Sequence, residues 1–421
     1  MRWPICLLLL IASPLSCAAD RPELSFDEAV ALALDRAPQV TAGAEGAAAM
    51  RELAVSAGRL PDPALVVGVD NLPVEGPDAW SATADFMTMR NVGLMQEFPR
   101  REKRRLERER ASAGVELADA ELEETRLAVA RETARAWIRR ATSETTLEQL
   151  IRLRPEIELG ATAARVGVAA GKASTVEALA AAAAAARLET RILDLEGKAR
   201  QARVELARWI GADAERAPGP PPALDVLPVP ATAMLAEMER HAAIVPFDAR
   251  LAAGRTDAEL ARAERRPDWS AELVYGKRGP GFSDMASLQF TIDLPFFAKH
   301  RQNPVIAARS ADLRRLEAER ETELRAHAAE LHQMLIEWEQ SGEQLAQYDR
   351  EVLPLARERS RAALAAYRSG SAELRSAVDA FEDEIGLIVE RAQLLDARGR
   401  AWAFLRYLEA RHLPGRRENQ P

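Results

Sequence analysis

Cysteine is almost missing from this 421-residue chain, and the two present, Cys6 and Cys17, both fall within the first nineteen residues. A disulfide framework is therefore excluded for everything that follows. Long apolar runs are missing too. Beyond the N-terminus no stretch of about twenty apolar residues occurs, so no membrane-crossing helix is expected, which leaves an exported soluble protein or a membrane β-barrel. Histidine is sparse: His241, His300, His327, His332 and His412 are scattered, and His327 and His332 stand five apart, off the spacing at which one helix face presents a zinc pair. Neither a nucleotide-binding loop nor a convergent acid, base or nucleophile set is present, so no catalysis and no cofactor is expected. An excess of positive charge is also absent. The net charge of -8 argues against a nucleic-acid partner. Basic clusters such as Arg100, Arg101, Lys103, Arg104 and Arg105 are interleaved with acids, as on a solvated helix face. Met87, Met89 and Met95 read as the apolar wall of a strand rather than as a soft-metal relay.

What is present begins with Arg2, an apolar run from Ile5 to Ala12, then Pro14 and small residues to Ala19. This is the pattern of a secretory signal peptide over residues 1–19, cleaved after Ala19 by the small-x-small rule. Leu15-Ser16-Cys17 is also a loose lipoprotein box, with acylation of Cys17 as the alternative. Plain cleavage is favoured, because Pro14 stands where such boxes prefer leucine.

Two short stretches organise the rest: Ala169-Ala170-Gly171-Lys172-Ala173-Ser174 and Tyr367-Arg368-Ser369-Gly370-Ser371-Ala372. Each separates a long helical pattern from an alanine-rich one, and its glycine supplies the backbone freedom of a tight helix-to-helix tip. Gly171 and Gly370 are 199 residues apart, Pro155 maps to Pro354 and Trp137 to Trp338 at about the same offset. The chain is a duplication of a domain-sized unit. The expected organisation is a first repeat over 20–217, with a β-hairpin at about 64–98 and a tip near 166–174. A proline-rich extended linker follows over 218–230. The second repeat covers 231–412, with a hairpin at about 269–294 and a tip near 367–372, and a disordered tail covers 413–421.

In the first repeat, Ser25 and Glu28 form a capping box that starts a helix ending before Pro38, and a second helix is expected from about Gln39 to Arg59. From Ala64 the period becomes two. Leu65, Val67 and Val69 alternate with Val66, Gly68 and Asp70, and a second extended segment is expected from Trp80 to Phe98. In the second repeat Trp269, Ala271, Leu273 and Tyr275 alternate with Ser270, Glu272, Val274 and Gly276. The return strand sets Ala286, Leu288, Phe290, Ile292 and Leu294 against Met285, Ser287, Gln289, Thr291 and Asp293. Each hairpin runs into one helical pattern, Arg100 to Val166 and Lys299 to Tyr367, each about 100 Å long if unbroken. On the first, Leu106, Ala113, Ala120, Leu127 and Ala134 form one apolar stripe, and Val115, Leu122, Val129 and Ala136 form another on nearly the opposite side. Such a helix needs a neighbour on each side, like a stave in a cylinder.

Four strands per chain do not close a barrel, and an open edge in lipid leaves backbone groups unsatisfied. If the strands are in a membrane the chain must oligomerise, and three copies would supply twelve strands. A soluble sheet covered by helices would alternate in the same way. The ensemble resembles the TolC family of outer-membrane efflux proteins. The resemblance is carried by Leu24-Ser25-Phe26-Asp27-Glu28-Ala29-Val30, by Leu60-Pro61-Asp62-Pro63 before the first strand, and by Tyr367-Arg368-Ser369-Gly370 with Val378-Asp379-Ala380. It spans essentially the whole mature chain and looks most like the heavy-metal (cation) efflux branch. The resemblance implies a mainly α chain whose duplicated long helical hairpins form an α-barrel, with four strands contributing to a trimeric 12-stranded transmembrane β-barrel. It further implies a homotrimer in the outer membrane of a Gram-negative cell, meeting outer-membrane lipid, a periplasmic membrane-fusion adaptor and an inner-membrane RND-type pump. Gly171, Lys172, Ala173, Ser174, Arg368, Ser369, Gly370 and Ser371 would then contact the adaptor. In the family, acids six to nine positions past the tip glycine constrict the periplasmic mouth, which makes Glu177 and Asp379 gate candidates; Ser376 stands where a further acid would complete a double ring. The alternative is a periplasmic coiled-coil scaffold binding partners through its tips, which has no need of membrane-length alternating strands.

Overall fold

The computed structural model describes residues 22–171 and 173–414. The expected signal peptide, Cys17, Lys172 and residues 415–421 of the tail lie outside the described residues. Nine helices are described: α1 (Phe26–Arg36), α2 (Pro38–Ser56), α3 (Arg101–Ala169), α4 (Thr175–Ile210), α5 (Ala231–Ala236), α6 (Val245–Ala263), α7 (Gln302–Gln347), α8 (Leu353–Arg368) and α9 (Leu374–Arg406). Four strands, β1 (Ala64–Asp70), β2 (Met89–Phe98), β3 (Trp269–Lys277) and β4 (Met285–Ile292), form one antiparallel sheet in chain order. The chain divides into two compact units, and each draws on both repeats: residues 22–33, 132–225 and 341–399 make one, residues 34–131, 226–340 and 400–414 the other.

The first unit is helical. Its main core joins Leu150 and Ile157 of α3, Leu188, Ile192 and Leu195 of α4, Leu353 and Leu364 of α8, and Phe381, Ile385 and Ile388 of α9. Apolar residues on four helices thus meet at one seam. Trp137 is fully buried, stands edge-on to Phe26 with ring centroids 5.7 Å apart, and donates its indole N–H to the Leu24 carbonyl at 3.3 Å. The start of the proline-rich segment is docked there. Leu24 N–H bonds to Ala217 O at 2.7 Å, Gly219 N–H returns a bond to Leu24 O at 2.9 Å, and Arg398 Nε donates to Leu224 O at 3.1 Å.

The second long pattern is interrupted, contrary to the single helix expected from Lys299 to Tyr367. A π-helical turn over Tyr348–Val352 separates α7 from α8. Pro354, next to it, has no N–H to bond the carbonyl four residues back, and its ring crowds that carbonyl; the wider π turn makes the room. Two side-chain ties hold the turn to α9: Tyr348 Oη donates to Glu390 at 2.7 Å, and Arg391 donates to both carboxylate oxygens of Asp349 at 2.6 and 3.0 Å. Pro155, its counterpart, lies inside an α3 that continues on both sides.

The second unit holds the sheet. Residues opposite one another on antiparallel neighbours share a face, and the register aligns Leu65, Leu94, Leu273 and Leu288 in one row and Val67, Val92, Tyr275 and Ala286 in the next. Phe98, Trp269 and Ile292 make a third, with the Phe98 and Trp269 rings stacked at 4.2 Å. Ala64, Met95, Glu272 and Gln289, and Gly68, Asn91, Gly276 and Met285, form rows on the other face. Met89 and Met95 therefore stand among polar residues and not in an apolar wall, because register decides the face. Met87 precedes β2 and is exposed. The extended segment expected from Trp80 begins only at Met89. Residues 71–88 form a loop closed by the bond from Trp80 N–H to Pro73 O at 2.7 Å and by the Asp85 carboxylate accepting from Met87 N–H at 2.7 Å. Gly279, in the β3–β4 turn, packs so closely on Thr83 that a Cβ would lie 1.9 Å from its carbonyl oxygen.

Where the sheet passes into the helices, Lys103 is buried and donates to Asp268 at 2.6 Å and Glu264 at 3.2 Å, and Arg100 N–H bonds to Asp268 at 2.8 Å. Burial works against the Lys103 charge, but the bonds to Asp268 and Glu264 outweigh it and hold the ammonium above its ordinary range. Another core joins Met234, Leu331, Leu335, Leu405 and Leu408. Trp402 beside it donates to the Val226 carbonyl at 2.9 Å, so each unit has a tryptophan gripping the chain just ahead of a helix.

Candidate functional site at the hairpin tips

Both tips belong to the first unit. At the second, Gly370 has φ +74°, its N–H bonds to Tyr367 O at 3.0 Å, and Ser371 N–H bonds to Ala366 O at 2.9 Å. This is a Schellman cap, which needs a left-handed residue where glycine avoids the Cβ penalty. The Ser369 and Ser371 hydroxyls stand 2.9 Å apart and lie 3.0 and 3.1 Å from Ala366 O, so that two protons serve these three contacts. At the first tip Gly171 has φ +67°, its N–H bonds to Val168 O at 3.0 Å, and Ala173 N–H bonds to Gly167 O at 3.2 Å. Neither glycine has anything within 4 Å of where a Cβ would stand, so conformation and not space calls for it.

Ser174 begins α4 with a complete capping box: its Oγ accepts from Glu177 N–H at 3.1 Å, and the Glu177 carboxylate accepts from Ser174 N–H at 2.8 Å. Glu177 is thus half-buried and held at the helix N-terminus, where negative charge is favoured. The Ser-x-x-Glu spacing that signals this was legible at residues 174–177. Asp379 is exposed on the first turns of α9, 3.9 Å from Arg375. Arg368 is exposed at the end of α8.

The structure brings the two tips side by side. Ala161, Ala164, Ala178 and Ala181 of the first hairpin pack with Leu374 of the second, flanked by Val168, Tyr367 and Val378. Small side chains let the helices approach closely, and α3 and α4 supply two each. Behind the tips, Arg187 of α4 pairs with Glu382 of α9. Buried Ser360 of α8 donates across to Ala380 O of α9 at 3.1 Å, and Arg359 pairs with Asp383 at 2.6 Å. Ser360 carried no sequence signal, since a serine in a helix gives no notice of a bond to a neighbouring helix.

Among the described residues no group of three or more histidines, cysteines and acids could hold a metal ion, and no helix is long and apolar enough to cross a membrane. Two of the scattered histidines meet. His241 and His327, 86 residues apart, form a buried pair in the second unit, with Nδ1 of His241 2.8 Å from Nε2 of His327.

A sheet of four antiparallel strands joined to duplicated long helical hairpins is a fold seen in solved outer membrane proteins. The chain superposes on the outer membrane protein VceC from Vibrio cholerae with a TM-score of 0.76 at 17% identity, covering 91% of this chain and 95% of that one. CusC gives 0.75 at 13% identity, with 91% and 92% covered. The CmeC outer membrane channel of Campylobacter jejuni gives 0.70 at 12%, with 94% and 87% covered. At these identities the likeness establishes the fold. Residues 29–212 match the family model described as Outer membrane efflux protein, and no curated protein sequence matches the chain. Residues 29–212 are thus similar to that family, and the chain as a whole shares the fold of these solved proteins.

Proposed function

We propose that this chain is the outer-membrane channel component of a tripartite efflux system, working as a homotrimer with a periplasmic membrane-fusion adaptor and an inner-membrane RND-type pump. The observation that carries the reading is the inverted sheet. Leu65, Leu94, Leu288 and Phe290 are each more than half exposed on the apolar face, while Asn91 on the polar face of β2 is buried. Water would penalise that arrangement at about 25 cal/mol per Å² of exposed apolar surface, whereas lipid outside and an aqueous lumen inside would favour it. The sheet ends at β1 on one side and β4 on the other. In lipid those edges need partners, and three copies joined edge to edge give twelve strands and no free edge.

On this reading Gly171, Lys172, Ala173, Ser174, Arg368, Ser369, Gly370 and Ser371 meet the adaptor, and Glu177 and Asp379 line the periplasmic constriction. Export energy comes from the pump. The exported substrate is assigned to heavy-metal cations on the Pro-Asp-Pro stretch at residues 61–63 and the short-loop style of the chain. Deleting the gene and profiling sensitivity tests this: unchanged tolerance of metals would overturn the metal assignment and leave the channel reading intact. The channel reading itself is tested by the native mass of the detergent-extracted protein. A trimer confined to the outer-membrane fraction is expected. A soluble periplasmic monomer or dimer would overturn it in favour of a scaffold acting through the tips.

A further inference from the structure

The His241–His327 pair lies outside the sheet and the tips and has no part in the function proposed above. His241 stands in the turn ahead of α6, where its own carbonyl accepts from Ile244 N–H at 2.8 Å and Val245 N–H at 3.2 Å. Its backbone thus starts the helix, and the next residue, Ala242, bonds to Leu408 O at 3.2 Å. His327 projects from the middle of α7. The rings meet edge to face, 86° apart with centroids 5.1 Å apart, and both side chains are almost completely buried.

Nδ1 and Nε2 at 2.8 Å require one proton between them. Nε2 of His241 is buried with no hydrogen-bond partner. The arrangement that leaves least unsatisfied has the His241 Nδ1–H donating to His327, with Nε2 of His241 an unprotonated acceptor and the proton of His327 on Nδ1. Both rings are then neutral. A second proton entering the pair would set two donors face to face, or place a charge on a nitrogen with no partner. The surroundings offer little compensation. Glu237, after α5, and Arg411, from the C-terminal segment, act on His241, and these two pair with each other at 3.4 Å. Arg131 of α3 acts on His327 and shares its field with Glu124. Phe404 of α9 presents only its ring, 6.2 Å from His327.

We propose that this pair is a proton-operated latch, which holds the turn ahead of α6 on α7 at neutral pH and releases it on acidification. Its ligand is the proton. Burial, then the neighbouring His327, hold His241 down to about 4, against an ordinary value of 6.5; burial and Arg131 also lower His327. The released state binds protons more readily, so the docked state loses its advantage as pH falls from about 6.5 towards about 4. The latch is closed above that window and open below it.

Hydrogen exchange of the full-length protein in detergent tests this, read over residues 238–248 and corrected for the intrinsic pH dependence of exchange. From pH 7 to pH 4.5 these amides are expected to exchange about tenfold faster, while the tips and sheet stay unchanged. In a variant with both His241→Gln and His327→Gln, which keeps hydrogen-bonding groups but has no imidazole to take the second proton, the acid-induced rise should shrink below twofold. An equal rise in the variant, or a rise below twofold in the unaltered protein, would overturn the proposal. If the double variant does not fold, ¹⁵N-histidine spectra of the unaltered protein decide. A coupling between His241 Nδ1 and His327 Nε2 present at pH 7 and lost at pH 4.5 supports the latch; a coupling kept at both values, or absent at both, refutes it.

Discussion

Glu177→Gln separates the capping role seen at the tip from the constriction role proposed for the same carboxylate. The carboxylate accepts from Ser174 N–H at 2.8 Å, and a glutamine at this third helical position accepts the same bond. What the substitution removes is the negative charge at the start of α4, worth about 0.3–1 kcal/mol to the helix. Ser174→Ala does the converse: it keeps the charge, removes the Oγ that accepts from Glu177 N–H, and costs about 1 kcal/mol. In the proposed trimer the charge recurs three times. At about 8 Å in water each carboxylate contributes about 0.5 kcal/mol towards a monovalent cation. Screening over one Debye length leaves about 0.6 kcal/mol in total, or roughly threefold cation enrichment. The assay is the reversal potential of single channels in planar bilayers under a KCl gradient, with hydrogen exchange at residues 173–180 as the structural control. Glu177→Gln is expected to lower the cation-to-anion permeability ratio about eightfold, because cation enrichment and anion depletion each count about threefold, with little extra exchange. Ser174→Ala should raise exchange about fivefold and leave the ratio alone. A ratio unchanged in Glu177→Gln, or shifted as much by Ser174→Ala, would show that the carboxylate serves the helix end and not the passage of ions.

Trp137→Ala should destabilise the first unit by about 3–5 kcal/mol, because it empties a buried site against Phe26. Trp137→Phe should cost only about 1 kcal/mol, since Leu24 O keeps its bond from Gly219; a thermal melt that fails to separate the two variants would refute this. Lys103→Met should cost about 1–3 kcal/mol in denaturant, less than a fully buried pair, because half of Glu264 is exposed. The raised Lys103 ammonium contributes while it is protonated, so the difference from the unaltered protein should persist from neutral pH to about 10 and close above its folded value. Phe290→Arg places a charge on the apolar sheet face and should cost about 2–4 kcal/mol if that face meets lipid. Its measure is the trimer fraction after detergent extraction, and an unchanged fraction would count against lipid contact.

The duplication, the tip glycines and the strand alternation were readable from residues 20–412, because each rests on a local rule. Glycine takes φ +74° at residue 370 and φ +67° at residue 171 without a Cβ penalty. Alternation fixes which residues of one strand share a face, as Ala286, Leu288, Phe290 and Ile292 do. The two stripes of α3 were equally local: Leu106, Ala113, Leu127, Ala134, Val129 and Ala136 are all buried. Local rules stop at the strand's edge. That Leu65 and Leu288 lie in one row four strands wide, and that Met95 faces Glu272, follows from register, which hydrogen bonds between distant segments set. The break at residues 348–352 and the intact helix at Pro155 begin from the same residue type and differ in their tertiary ties, Tyr348 to Glu390 and Arg391 to Asp349. The pairing of His241 with His327 had no sequence signal at all. Two rings 86 residues apart become partners only when the turn and the helix that carry them pack, and packing answers to the summed burial of many side chains, not to either histidine.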